Sequence, residues 1–255
     1  MSKQFAFPNG PLKWISGAKD FTGDYNLGLS TNDPTQRYEL GTRYITRDGS
    51  VYKYVKAGTA FTSYQLGVWD EATGGDVAYE ALPGGEGAGG LSLTITQGSI
   101  TKNQYSGGYI NLFHATGGGM IYGIQGNDAT SGTTTTLYLD RPLAQAVTSS
   151  DNVELFANPY AVIAQGNSGG TQSFIGVPMA LLTDLYYGWV KTIGPAFVSP
   201  QATVGNAYLG GVFWRHDGSI DVAYSDGTIT NQYAGYVMTG SAAGNGPLIM
   251  LQGSF

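Results

Sequence analysis

Short runs of alternating apolar and polar residues recur along this chain, separated by clusters of Gly, Asn, Asp, Ser and Pro. Leu91-Ser-Leu-Thr-Ile-Thr96 alternates cleanly, the period-2 pattern of a strand with one buried face. Further short strands are predicted at 109–113, 120–124, 133–139, 153–156 and 160–164. Their spacing of about 8–12 residues is that of a β-sandwich or barrel. Upstream, Arg43-Tyr-Ile-Thr-Arg47, then Asp48-Gly49, then Val51-Tyr-Lys-Tyr-Val-Lys56 reads as a hairpin. Asp-Gly supplies the positive-φ residues that a two-residue type I′ turn needs. A strand over 61–69 follows. Downstream, strands are expected at 207–214, 219–224, 235–238 and 247–251, with Asp217-Gly218 and Asp226-Gly227 as hairpin turns. Two stretches, 143–147 and 178–185, could form short helices. Nothing carries an amphipathic helical period for more than about three turns, so the fold is predicted to be all-β.

One strand pattern occurs twice. Tyr52-Lys-Tyr-Val-Lys-Ala-Gly-Thr-Ala-Phe61 is echoed by Tyr187-Gly-Trp-Val-Lys-Thr-Ile-Gly-Pro-Ala-Phe197. The second copy reads as a strand, a Gly194-Pro195 turn and the start of another strand. The two units frame the middle of the chain. The expected organisation is an extended N-terminal arm over 1–40, a base β domain of pseudo-repeated hairpin units built from 41–90 and 166–255, and an inserted β-barrel or sandwich module over 91–165. The Gly-rich stretch 84–90 is expected to be a flexible linker or loop. The arm carries turn clusters together with Phe5, Phe7, Trp14 and Phe21. That is too much aromatic surface for a free tail, so it should pack either on its own domain or on a neighbouring subunit.

Composition narrows the function classes. Gly supplies 40 of 255 residues, and charged residues make up only 12 %. Aromatics at 13 % and a hydrophobic fraction of 42 % argue for a folded chain and against disorder. The surface is therefore neutral and polar, suited to extended contact with other protein. Net charge is −6 with no basic run, which disfavours nucleic acid as a partner. The absence of cysteine removes disulfide and thiolate chemistry and fits folding in a reducing cytosol. The start, Met1-Ser-Lys-Gln-Phe, lacks the apolar run of a signal peptide. Span 155–183 is charge-free but too broken by Asn, Gly and Pro to be a membrane helix, so no membrane partner is expected.

Catalytic and metal-binding patterns are sparse. His114 and His216 are the only histidines, far apart and in no close ligand spacing, so neither a metal site nor a cofactor is expected. Asn127-Asp128 and Asn32-Asp33-Pro34 read as turns rather than calcium loops. Gly166-Asn-Ser-Gly-Gly170 resembles the nucleophile motif of chymotrypsin-like serine proteases, with His114, Asp128 or Asp140, and Ser168 in that family's order. Against it, Asn167 replaces the family's Asp, His114 lacks the usual flanking residues, and Gly-Gly pairs recur along the whole chain.

Several short patterns together resemble the capsid decoration (cement) proteins of tailed bacteriophages. They are Gly41-Thr-Arg-Tyr44, Asp48-Gly-Ser-Val-Tyr-Lys-Tyr-Val-Lys-Ala-Gly58, Gly107-Gly-Tyr-Ile110, Gly119-Met-Ile-Tyr-Gly-Ile124, Leu137-Tyr-Leu-Asp-Arg-Pro-Leu143 and Tyr186-Tyr-Gly-Trp-Val-Lys-Thr-Ile-Gly-Pro-Ala196. The likeness covers about 41–200. It implies a non-enzymatic virion protein, made in the host cytoplasm, homotrimeric, and seated on the outer capsid surface against the major capsid protein. A tail or baseplate structural protein is the alternative, and a serine hydrolase the remote one. Candidate contact residues are Phe5, Phe7, Trp14 and Phe21 of the arm, with Tyr187 and Trp189 of the repeated unit.

Overall fold

The computed structural model describes residues 28–70, 77–165, 173–205, 210–222, 229–240 and 246–253, with backbone alone at 77, 78 and 229–231. The fold is all-β. The strands are β1 (Arg43–Ile45), β2 (Val51–Lys56), β3 (Val68–Asp70), β4 (Val77–Ala81), β5 (Ser92–Thr96), β6 (Tyr109–Phe113), β7 (Gly119–Asn127), β8 (Thr134–Leu139), β9 (Asn152–Phe156), β10 (Ile163–Gln165), β11 (Ser173–Pro178), β12 (Tyr187–Phe197), β13 (Gly211–Arg215), β14 (Ile220–Asp221), β15 (Ile229–Thr239) and β16 (Leu248–Gln252). Every ladder between them is antiparallel. The chain divides into a base unit, Met1–Glu71 with Tyr160–Phe255, and an inserted unit, Ala72–Pro159.

The inserted unit is a six-stranded sheet in the order β4-β9-β6-β7-β8-β5. Burial alternates along β5, β6, β8 and β9. Ile110 and Leu112, Val153 and Leu155, Leu137 and Leu139, and Leu93 and Ile95 all face one core. Because Leu93 and Ile95 of the edge strand share that core with β9, the sheet curls around it. Leu82, Ile100, Tyr105, Leu143 and Val147 from the connections join the same cluster.

The base unit is organised on β12. Residues Tyr187–Lys191 and Ile193 pair with β2 on one edge. On the other edge β11 takes Val190 and Lys191, and β16 takes Ile193–Phe197. The sheet continues through β15, β13 and β14 on the β16 side, and through β3 and β10 on the β11 side. The two echoed units are thus direct ladder partners. Trp189 stands opposite Tyr54 and Lys191 opposite Tyr52.

Several expectations need correction. The first unit boundary falls near 72 rather than 91, because β4 pairs with β9 and so belongs to the inserted sheet. The second falls at 160 rather than 166, because β10 pairs with β3 in the base. Gly194-Pro195 is no turn. The chain passes straight through it inside β12, with a register shift between Lys191 and Ile193. No helix occurs among the described residues. At 143–147 the backbone bonds go instead to the Gly-rich stretch, with Glu86 N to Val147 O at 3.0 Å and Gly89 N to Leu143 O at 2.8 Å. That stretch is consequently pinned as a loop. At 178–185, Met179 N donates to Trp189 O and Leu182 O accepts from Phe61 N, so the backbone is spent on sheet contacts.

The Asp48-Gly49 turn is also longer than predicted. Only Gly49 has positive φ, at 83°. Gly49 N donates to Thr46 O and Thr46 N to Ser50 O, both at 3.0 Å. This is a type I turn closed by a glycine bulge, not a two-residue loop. Asp217-Gly218 repeats it, with Gly218 at φ 82° and Arg215 N donating to Ser219 O at 2.9 Å. In both turns the aspartate also accepts from the backbone and hydroxyl of the following serine. The third expected turn, Asp226-Gly227, lies outside the described residues.

Gly194 is the position where β12 most needs glycine. Its φ is 114°, and an added Cβ would stand 2.4 Å from Ser50 Oγ. Gly194→Ala is expected to cost about 1–3 kcal/mol, seen as a lower urea midpoint. Gly210→Ala, where nothing lies within 4 Å, serves as the near-neutral control.

Candidate protein-docking face

Arm aromatics Phe5, Phe7, Trp14 and Phe21 lie outside the described residues. The last part of the expected arm, 28–40, belongs to the base unit. Leu29 is buried with Tyr52, Tyr54 and Trp189. Asp33 bridges Tyr187, and Asn32 exchanges hydrogen bonds with Thr183 through both ends of its amide.

Tyr187 and Trp189 were expected to be contact residues, and for Trp189 the structure corrects this. Its side chain is 2 % exposed. The ring stands 5.2 Å from Tyr54, 5.4 Å from Tyr38 and 6.0 Å from Tyr44. The echoed aromatics are therefore a core, built where two similar strands pair and put their large side chains on one face. Tyr187 is half-buried and stacks on Tyr54 at 6.2 Å. Lysines line this pairing. Lys191 lies 5.3 Å from the Tyr52 ring and donates to Pro195 O at 2.8 Å, and Lys53 lies 5.1 Å from Tyr160. Burial lowers the pKa of both ammonium groups.

The exposed apolar surface of the base unit lies further along the same sheet, where sequence reading had not placed it. On one face of β12, β16, β15 and β13, ladder partners set Pro195 beside Met250, Met250 beside Tyr236, and Tyr236 beside Gly211. Phe197 pairs with Leu248, and Phe213 pairs with Tyr233, their rings 5.5 Å apart. The opposite face of these strands supplies Val212, Trp214, Ala234, Ile249 and Leu251 to the core, so the first set points outward. Phe197, Tyr233, Tyr236, Met238 and Leu248 are between 39 % and 49 % exposed. The four strands carry only two charged residues, Lys191 and Arg215. Lys191 folds back on the Pro195 carbonyl, and Arg215 is 7 % exposed and pairs with Asp221 at 3.1 Å. A run of exposed apolar side chains with so few charges among them is a candidate surface for a protein contact.

The two aspartates considered for a catalytic triad, Asp128 and Asp140, do not pair with His114. Its partner is Asp151, whose Oδ2 lies 3.5 Å from Nδ1. Asp128 accepts from the Tyr138 hydroxyl at the far end of β7, and Asp140 accepts from Gly123 N in mid-strand. Ser168 lies outside the described residues. Among the described residues no group of three or more His, Asp or Glu could hold a metal ion. A depression of about 220 Å³ beside 83–86 offers Glu86 as its one titratable lining group.

Asp151 has a structural use. It accepts from Ala115 N at 2.7 Å and Thr148 N at 2.8 Å. These bonds first, and His114 after them, hold its carboxyl below the ordinary 3.8. Hydrogen bonds likewise lower Asp33 and Asp48. A depressed native pKa adds stability that is present above the unfolded value and is lost as pH falls through the native one. Urea-unfolding stability should therefore drop as pH falls below about 4. Asp151→Asn should flatten that acid limb while lowering stability at neutral pH. An acid limb unchanged in the variant would contradict this.

Comparison with protein-family models, curated proteins and solved structures finds no match to this chain.

Proposed function

We propose that this chain is a virion structural protein of the capsid-decoration type, which attaches to the major capsid protein as a homotrimer on the outer capsid surface. The observation that carries the reading is the uncharged outward face of β12, β16, β15 and β13, with Phe197, Tyr236, Met238 and Leu248 about two-fifths or more exposed. Apolar area of this kind, left wet, is a liability unless a partner covers it. Its lack of charge suits burial, because no ion has to be stripped of water without a counter-ion. The identity of the partner comes from the resemblance of 41–58, 107–143 and 186–196 to phage decoration proteins. In that role the buried area stabilises the shell by linkage, since the protein binds the assembled form in preference to its parts.

The test is an image of the intact particle produced by the phage that encodes the chain. Threefold protrusions over the joints between capsomers, carrying this chain, are the expected result. Density for it only on the tail, or no copies in the particle, would overturn the reading.

A further inference from the structure

A second surface, in the inserted unit, has different chemistry. Ladder registers on β9, β6 and β7 place Phe156 beside Tyr109, Asn111 between Glu154 and Ile121, and Asn152 beside Phe113. The intervening residues Ile110, Leu112, Val153 and Leu155 are at most 1 % exposed, so these rows lie on the outward face. Same-face positions on a strand are about 6.6 Å apart. Two aromatic rows roughly 13 Å apart along the strand thus flank a polar row. Tyr79 extends the second aromatic row, with its ring 5.3 Å from Phe113 and 64 % of its surface exposed. It reaches there from a register break between Val77 and Glu80, at φ 51°. Such a bulge re-aims a side chain.

The middle row is unpartnered. Among the described residues neither the Asn111 amide nor the Glu154 carboxylate makes a hydrogen bond or ion pair. Both are half-buried between rings and open to solvent. A second carboxylate, Asp140, packs against Gly123, the ladder neighbour of Tyr109. The nearby cation, Arg141, is turned to the Ile121 carbonyl and the Tyr122 ring.

These features select among occupants. An apolar protein surface would strip water from Glu154 and leave its charge unmatched, which is costly. A second copy of this face would bring the same carboxylates against one another. Nucleic acid could stack on the rings, but its phosphates would meet Glu154 and Asp140. A pyranose chain fits all of it. Its C–H faces lie flat on aromatic rings, and its rim of hydroxyls donates to a carboxylate and both donates to and accepts from an amide. We propose that the outward face of β9, β6 and β7 binds a neutral oligosaccharide, with sugar rings on Tyr109 and on the Phe113–Tyr79 pair and hydroxyls on Glu154 and Asn111. This site lies in a different unit from the docking face and stands whether or not the base unit binds a capsid.

The experiment applies the full-length chain to an array of immobilised neutral and acidic glycans, then titrates the strongest neutral glycan in solution by calorimetry. Binding is expected, weakened about tenfold or more by Tyr109→Ala and by Glu154→Gln. Gly210→Ala, in the base unit with nothing within 4 Å of an added Cβ, should leave it unchanged. Both glycan-face residues are solvent-accessible, so thermal unfolding of the variants should match the parent and separate lost binding from lost fold. No glycan bound above background, or equal affinity in Tyr109→Ala and Glu154→Gln, would overturn the proposal. So would a change in solution mass on Tyr109→Ala, which would make the face a contact between copies instead.

Discussion

Trp189→Ala should lower the stability of the base unit by about 3–5 kcal/mol, the range for truncating a large buried aromatic. The indole is 2 % exposed and touches three tyrosines from three separate segments: Tyr38, Tyr44 and Tyr54. Its strand is held on both edges, so the sheet has little freedom to collapse into the cavity. At about 2–4 °C per kcal/mol for a unit of this size, the melting temperature should fall by roughly 10 °C. Calorimetry makes the test sharper. The core of the inserted unit shares no residue with the Trp189 cluster, so its transition should stay in place while the base transition moves. A loss below about 1 kcal/mol would show that Trp189 is not the packing centre of the paired units.

Tyr236→Glu combined with Leu248→Glu should dissolve the proposed homotrimer without unfolding the chain. The two residues sit on neighbouring strands of the uncharged face, each 41 % exposed, with side chains directed away from the core. In the free monomer a glutamate at either position reaches water and costs little. In an interface it must be desolvated, and no cation on these strands is free to meet it, because Lys191 and Arg215 are both engaged. Losing two central apolar contacts and burying two charges should weaken association about a hundredfold or more. Light scattering should report three times 26.8 kDa, about 80 kDa, for the parent and 26.8 kDa for the variant. A parent that is already monomeric at micromolar concentration would remove the trimer from the proposal.

Much of this fold was legible because β-strands with one wet face announce themselves. Alternation at 91–96, 109–113 and 153–156 marked β5, β6 and β9 and the sides they bury. The echo between Tyr52–Phe61 and Tyr187–Phe197 correctly singled out the strand on which the base is built. What it could not show was that the two copies pair with each other, which depends on contacts more than a hundred residues apart. For the same reason Trp189 read as an adhesive residue when it is core. A large aromatic on a strand looks alike in both settings until its neighbours are known. The exposed apolar face is not legible in the sequence because Tyr236, Met238, Leu248 and Phe197 come from three strands, and none of those segments is unusual alone. Gly194-Pro195 misled because the pair usually marks a turn, whereas here the glycine lets β12 pass close to Ser50.

Dependence of capsid attachment on the outward face of β12, β16, β15 and β13, through which the proposed trimer assembles, is tested most directly by co-sedimentation. Capsids assembled without this chain are mixed with the parent protein or with the Tyr236→Glu/Leu248→Glu variant, and bound protein is measured across a concentration series. The parent should bind saturably, and the variant, folded by its unchanged calorimetric transitions, should stay in the supernatant at concentrations about a hundredfold above the parent's half-saturation. Equal binding of the two proteins would show that attachment does not depend on this face, and failure of the parent to bind at any concentration would contradict the decoration role itself.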